Sequence, residues 1–154
     1  MIKTLVASST LLILLGAHCS GQNATVMLGG TGPTTHLQTV LDGISDMLSA
    51  NNVKVKIASG EAKSRNVLLD EMKASGATLL LYIEVHQESK KPGVGGGGRG
   101  SIVARSFVDG KPMWEEEVKG GIFAGSAEAE VRKMLKNIND KLKAHIGSAG
   151  LPKV

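Results

Sequence analysis

The chain has 154 residues, 42% of them hydrophobic and 21% charged, with a formal net charge of +4. That length and balance suit one globular domain, not two, and such a domain can bury a sufficient core without disulfides or metals. Aromatic residues are only 3%, so the core must be aliphatic, and the weak basicity selects no anionic partner by itself.

Met1-Ile2-Lys3 is a short basic start, and Leu5 to Leu15 is apolar, broken only by small Ala, Ser and Thr. A basic segment followed by an apolar run too short to span a bilayer predicts a secretory signal. Nothing in the run is amphipathic, which excludes a half-buried helix. Cys19, the single cysteine, stands directly after the run. Leu15-Gly16-Ala17-His18-Cys19 resembles the lipobox of bacterial lipoproteins, in which the cysteine carries the lipid. His18 departs from that motif, which has a small residue before the cysteine. The alternative is ordinary cleavage after Gly21. Both routes leave the exported protein without a disulfide. The expected division is residues 1–21 as signal peptide, 22–147 as one domain and 148–154 as a loose tail.

Ala24 to Leu28 predicts a first strand, and Gly29-Gly30-Thr31-Gly32-Pro33 a turn. A helix follows, with Thr35 as N-cap and Gln38 as its capping-box partner. Leu37, Val40, Leu41, Ile44 and Leu48 recur at helical spacing, and Asn51-Asn52 stops the run. Val53, Val55 and Ile57 alternate with Lys54 and Lys56, the pattern of a half-buried strand whose lysines guard an edge. A second helix runs from about Lys63 to Ser75, with Val67, Leu68, Leu69 and Met72 as its buried stripe and Gly76 ending it.

Ala77 to Val85 is the strongest strand signal, and five consecutive apolar residues from Leu79 to Ile83 predict burial on both faces. Lys90 to Gly100, rich in glycine, predicts a mobile loop. A hairpin follows, Ile102 to Val108 and Met113 to Val118, turning at Asp109-Gly110. Ser126 opens the last helix. Glu128 and Glu130 in its first turn and Lys141 and Lys143 near its end suit the helix dipole. Val131, Met134, Leu135, Ile138, Leu142 and Ile146 form its apolar face. The order is βαβαβββα. It predicts an α/β two-layer sandwich, a mixed sheet of about five strands with three helices mainly on one face.

That order behind a lipoprotein-like signal resembles the amino-terminal domain of TolB and its relatives, including the curli-secretion lipoprotein and the lipoprotein activators of peptidoglycan synthases. Val108-Asp109-Gly110-Lys111-Pro112-Met113-Trp114 is similar to the D-x-x-T-G-x-x-x-W hairpin of these periplasmic domains, with a shorter turn and no threonine. The resemblance implies a non-enzymatic envelope module that binds other components, and it brings no catalytic residues.

Gly29, Gly30, Thr31 and Gly32 stand where a phosphate loop would, between strand and helix. No G-x-G-x-x-G frame or Walker lysine accompanies them, so a plain turn competes with an anion site. His36, His86 and His145 have no metal-ligand spacing, and neither a metal nor a cofactor is expected. Alternation prevents Glu115-Glu116-Glu117 from acting together on one face. Lys90, Lys91, Arg99 and Arg105 near the glycine loop, with Trp114, are the candidate partner contacts. Aromatics for stacking are scarce, which disfavours nucleic acid. The expected function is an exported envelope protein, periplasmic or anchored to the outer membrane by lipid on Cys19. Its expected partner is an envelope protein or cell-wall component. The rival is a small-ligand-binding or hydrolytic enzyme using the glycine turn, which needs a concave site beside Gly30.

Overall fold

The computed structural model of the chain describes residues 25–58, 62–87, 99–120 and 127–146. In order, these form β1 (Thr25–Thr31), α1 (Thr34–Ala50), β2 (Lys54–Ile57), α2 (Arg65–Ser75), β3 (Leu79–Gln87), β4 (Gly100–Val108), β5 (Lys111–Lys119) and α3 (Ala127–His145). The fold is α/β: five strands make one mixed sheet in the order β2-β1-β3-β4-β5. β1 runs parallel to β2 and β3, whereas β4 is antiparallel to both β3 and β5.

β3 lies between β1 and β4, and Leu79 to Ile83 are buried on both sides, as a run with no polar alternation requires. Leu79, Leu81, Ile83 and Val85 face a cluster built with Leu37, Val40 and Ile44 of α1 and Val131, Ile138 and Leu142 of α3. Leu80 and Tyr82 face the other way, with Met27, Phe107 and the α2 residues Leu68 and Met72. Two helices therefore share one face and α2 takes the other. Connection handedness explains the split. The chain steps from β1 outward to β2, then back across β1 to β3. A right-handed crossover in each direction sets α1 and α2 on opposite sides.

Glycine stands at two of the close approaches. β1 does not end at Leu28 but continues through Gly29, Gly30 and Thr31, which pair with Tyr82, Ile83 and Glu84. A Cβ on Gly30 would lie 1.8 Å from the Ile83 carbonyl oxygen, so only glycine fits there. Gly43 lies at the contact between helices, where a Cβ would lie 2.4 Å from the movable end of Leu135, Cδ2, and Asn139 Nδ2 donates to the Gly43 carbonyl at 3.3 Å.

Other element ends differ from the sequence expectation in small ways. α1 starts at Thr34 with Pro33 in the N-cap position and no side-chain cap. Gln38 donates instead to Asp42 at 2.7 Å, so no capping box forms around Thr35. On α2, Leu68 and Met72 are buried but Val67 is 46% exposed. Residues four apart share one helical line, and Val67 lies about 100° away from it. Gly76 ends α2 in the left-handed conformation, φ 70°, as predicted. The start of α3 near Ser126, its stop at Gly147 and the loop from Lys90 to Gly98 lie outside the described residues.

The hairpin turns through Asp109 (φ 50°) and Gly110 (φ 77°), two left-handed residues that match the twist of the strands they join. Val108 pairs with Lys111 and Phe107 with Pro112, but Ser106 pairs with Trp114. Met113 is thus the extra residue of a β-bulge. Pro112 is tolerated because β5 is an edge strand.

Gly30→Ala should destabilise the protein by more than about 3 kcal/mol, because the clash is with backbone and cannot be relieved by a rotamer. Gly76→Ala meets nothing within 4 Å and should cost only about 1 kcal/mol for its left-handed φ. Urea denaturation of the two variants checks the contrast; equal losses would mean that β1 and β3 are not in this register.

Candidate functional site

Trp114 lies on the face covered by α3, because the bulge at Met113 aligns it with Ser106. It is half-buried, and its ring stacks on His145 in the last turn of α3, with centroids 4.7 Å apart and planes 11° from parallel. His145 Nε2 lies 3.1 Å from Glu116 Oε1. Lys141 Nζ donates to Glu116 Oε2 at 2.9 Å and to the Glu117 carbonyl at 3.0 Å. The end of α3 is therefore tied to β5 by one carboxylate between two basic groups. The hydrogen bonds from Lys141 and then His145 hold the Glu116 carboxyl below its ordinary value of 4.5. Trp114 Nε1 is buried without a hydrogen-bond partner among the described residues, so the indole is placed for packing.

Arg105 lies on the opposite face, paired with Tyr82 and Glu115 across the sheet. Its Nε donates to Glu115 and its Nη1 to Glu84; His86 Nε2 is 3.5 Å from the same Glu84 oxygen. Burial works against the guanidinium charge, but the hydrogen bonds to Glu115 and Glu84 outweigh it and hold its pKa above the ordinary value. α2 covers β1, β3 and Phe107 on this side. Among the described residues, no helix covers the rest of β4 and β5 there, and Met113 at the hairpin is 51% exposed.

The third location is a cleft beside Gly29 and Gly30, walled by Thr34 and Gln38 of α1, Ala58, Lys63 and Leu68. It is shallow and open to solvent, with room for roughly one water. The Gly30 carbonyl accepts from the Lys63 amide at 2.9 Å, and the Lys63 ammonium is paired with Glu71 at 2.5 Å. Gly29, Gly30 and Thr31 are strand residues rather than a free loop, and Gly32 alone (φ 146°) has left the strand.

The structure does not gather the five candidate partner contacts. Arg105 and Trp114 stand back to back across the sheet, and Arg99 is exposed just before β4. Lys90, Lys91 and Cys19 lie outside the described residues. Among the described residues no His, Cys, Asp or Glu group is arranged to hold a metal. Glu84, Lys141 and His145 carry the two networks, a role that the sequence does not assign to any of them. Their roles come from pairing across the sheet and from the docking of α3, and no local motif marks either.

The Glu116 tether makes stability depend on pH in a definite direction. Its carboxyl binds a proton more weakly folded than unfolded, so protonation favours unfolding. Its contribution is complete above the unfolded carboxylate value and is lost as pH falls through the lowered folded value. Glu116→Gln should be less stable than the parent by up to about 1 kcal/mol at neutral pH, and the difference should vanish under acid. Melting curves across pH 2 to 7 (a range of about five units) check this; a gap that persists in acid would mean that the loss is not ionic. Trp114→Ala should cost about 2–3 kcal/mol, less than a fully buried indole, while His145→Ala should cost less than half of that; equal losses would place the energy in the stack rather than in the contact with the core.

No protein-family model matches the sequence, and no curated protein does. Solved structures are similar in fold. PelC from Paraburkholderia phytofirmans, solved as a dodecamer, shares 14% identity at a TM-score of 0.52, covering 76% of this chain and 85% of that one. A point variant of the same protein, also a dodecamer, aligns at 14% identity and a TM-score of 0.50, covering 75% and 86%. At this identity the likeness is one of fold.

Proposed function

We propose that the chain is a non-enzymatic, exported cell-envelope protein that binds or assembles other envelope components through the hairpin side of its sheet. The observation that carries this reading is the sheet face over β4 and β5, which no described helix covers and which presents the Glu84–Arg105–Glu115 network beside the half-exposed Met113. Paired charges around an exposed apolar side chain suit a protein partner or a cell-wall component better than a polyanion, because the arginine is already neutralised. Export and attachment by lipid on Cys19 rest on the signal-like start and the lipobox-like cysteine. The βαβαβββα order is also the one that the resemblance to TolB-like periplasmic domains implies.

The enzyme reading would use the cleft beside Gly30. Small-molecule sites enclose roughly 300–1,000 Å³ and bury most of their ligand, whereas this cleft admits about one water and its lysine is paired. The exposed face therefore has the stronger support.

Two measurements test the proposal. Mass spectrometry of the mature protein should find Cys19 as a diacylglyceryl amino terminus, and Cys19→Ser should move the protein from the membrane fraction to the soluble one; a parent protein already soluble, beginning at Gln22, would remove the anchor. A photo-crosslinking residue at Met113 should capture an envelope protein or cell-wall fragment in living cells, and one at the exposed Asp46 of α1 should not. Equal capture at both positions, or none at Met113, would sink the binding surface.

A further inference from the structure

We propose that copies of this chain join head to tail by sheet continuation, β5 of one copy pairing with β2 of the next. β2 and β5 are the two edges of the sheet. Each presents a row of charged side chains. On β2, Lys54 and Lys56 are exposed and have no ion pair among the described residues. On β5, Glu115 and Glu117 are exposed, at 56% and 41% of their side chains, and Lys119 follows them with its Nζ 3.4 Å from Glu117 Oε2.

The two rows lie on the same side of the sheet. Lys56 is aligned with Met27, which belongs to the cluster under α2. Glu115 is aligned with Arg105, and Arg105 with Tyr82 of that same cluster. The strand directions also agree. β5 is antiparallel to β4, β4 to β3, and β3, β1 and β2 run together, so β5 and β2 point the same way. Continuing the sheet from one copy to the next therefore makes a parallel pair. The register that satisfies both charges sets Glu115 opposite Lys54 and Glu117 opposite Lys56. On the reverse side Val118 meets Ile57, which is half-buried in a single copy. Pro112 and the bulged Met113 precede this four-residue frame and do not interrupt it.

Like charge makes the other edge pairings unfavourable. Lysine rows repel at a β2–β2 contact, and Glu115 and Glu117 repel at a β5–β5 contact that sets them face to face, whereas the mixed pairing brings opposite charges together. The helices fit the same repeat. Five strands about 4.8 Å apart span about 24 Å, the width of two helices of roughly 10–12 Å each. α3 over β5 can thus lie beside α1 over the neighbour's β2 without moving either. Such a contact is heterologous, so it closes into a ring or runs on as a filament. It needs no envelope partner at the open face, although Glu115 belongs to both surfaces.

The test uses the full chain purified from its envelope in mild detergent, studied by sedimentation velocity. The parent should form assemblies larger than a monomer at about 0.1 mM, as a micromolar Kd requires, and should dissociate in high salt. Lys54→Glu/Lys56→Glu and Glu115→Lys/Glu117→Lys should each associate about 10- to 100-fold more weakly. An equimolar mixture of the two should assemble again, since each variant then offers the edge that the other lacks. Lys56→Glu and Glu117→Lys form a second pair that leaves the Arg105 contacts intact, for use if the double variants fail to fold. A monomeric parent, variants that assemble like the parent, or a mixture of folded variants that stays monomeric would overturn the proposal.

Discussion

The ladder between β1 and β3 joins what are otherwise two separate pieces. On one side of it lies the parallel unit of β1, α1 and β2; on the other lies the antiparallel meander of β3, β4 and β5. The ladder runs from Val26 opposite Leu79 to Thr31 opposite Glu84. Near its upper end the Ile83 carbonyl occupies the space of a side chain at Gly30. Close approach there keeps the two pieces in one sheet, and one sheet gives α1 and α3 a common face to bury. Those helices then touch where Leu135 meets Gly43. Backbone contact thus comes first, and the aliphatic core is assembled around it, consistent with a sequence in which aromatics are only 3%.

The bulge at Met113 has the next largest effect. A hairpin with this two-residue turn and no bulge would set Arg105 opposite Trp114, and cross-strand partners share a face. One extra residue shifts the register, so that Arg105 meets Glu115 and Trp114 meets Ser106. A shift of one residue exchanges the faces of every side chain beyond it. It sends the indole under α3 and the arginine into its carboxylate pair, and it places Glu116 within reach of Lys141 and His145. The same shift aligns Glu115 and Glu117 on the open side of the sheet. The surface read as a binding face and the edge read as a self-association strand both follow from that single insertion.

Charge in this protein is organised by position more than by amount. The net value of +4 says little, yet lysines stand on one edge strand, three glutamates stand along the middle of the other, and Arg105 between them is neutralised. A surface of this kind discourages indiscriminate edge pairing while leaving selected contacts open.

Most of the architecture was legible in the sequence. The helical spacing of Leu37 to Leu48 and of Val131 to Leu142, the alternation from Val53 to Ile57 and the unbroken run from Leu79 to Ile83 are local patterns, and local periodicity is what sequence displays directly. The Asp109-Gly110 turn and the Gly76 stop were legible for the same reason, since each depends on the conformational freedom of one or two residues. The site was not legible. That Gly29 and Gly30 belong to a strand depends on a carbonyl from β3, some fifty positions along the chain. That Trp114 and Arg105 face apart depends on a bulge that no residue type announces. The Glu116 tether depends on where a helix twenty-five positions later comes to rest. By itself the sequence determined the elements, their order and the aliphatic character of the core. Only the tertiary structure decided which side chains meet, because strand register and helix docking are set by distant contacts that leave no periodic trace in the chain.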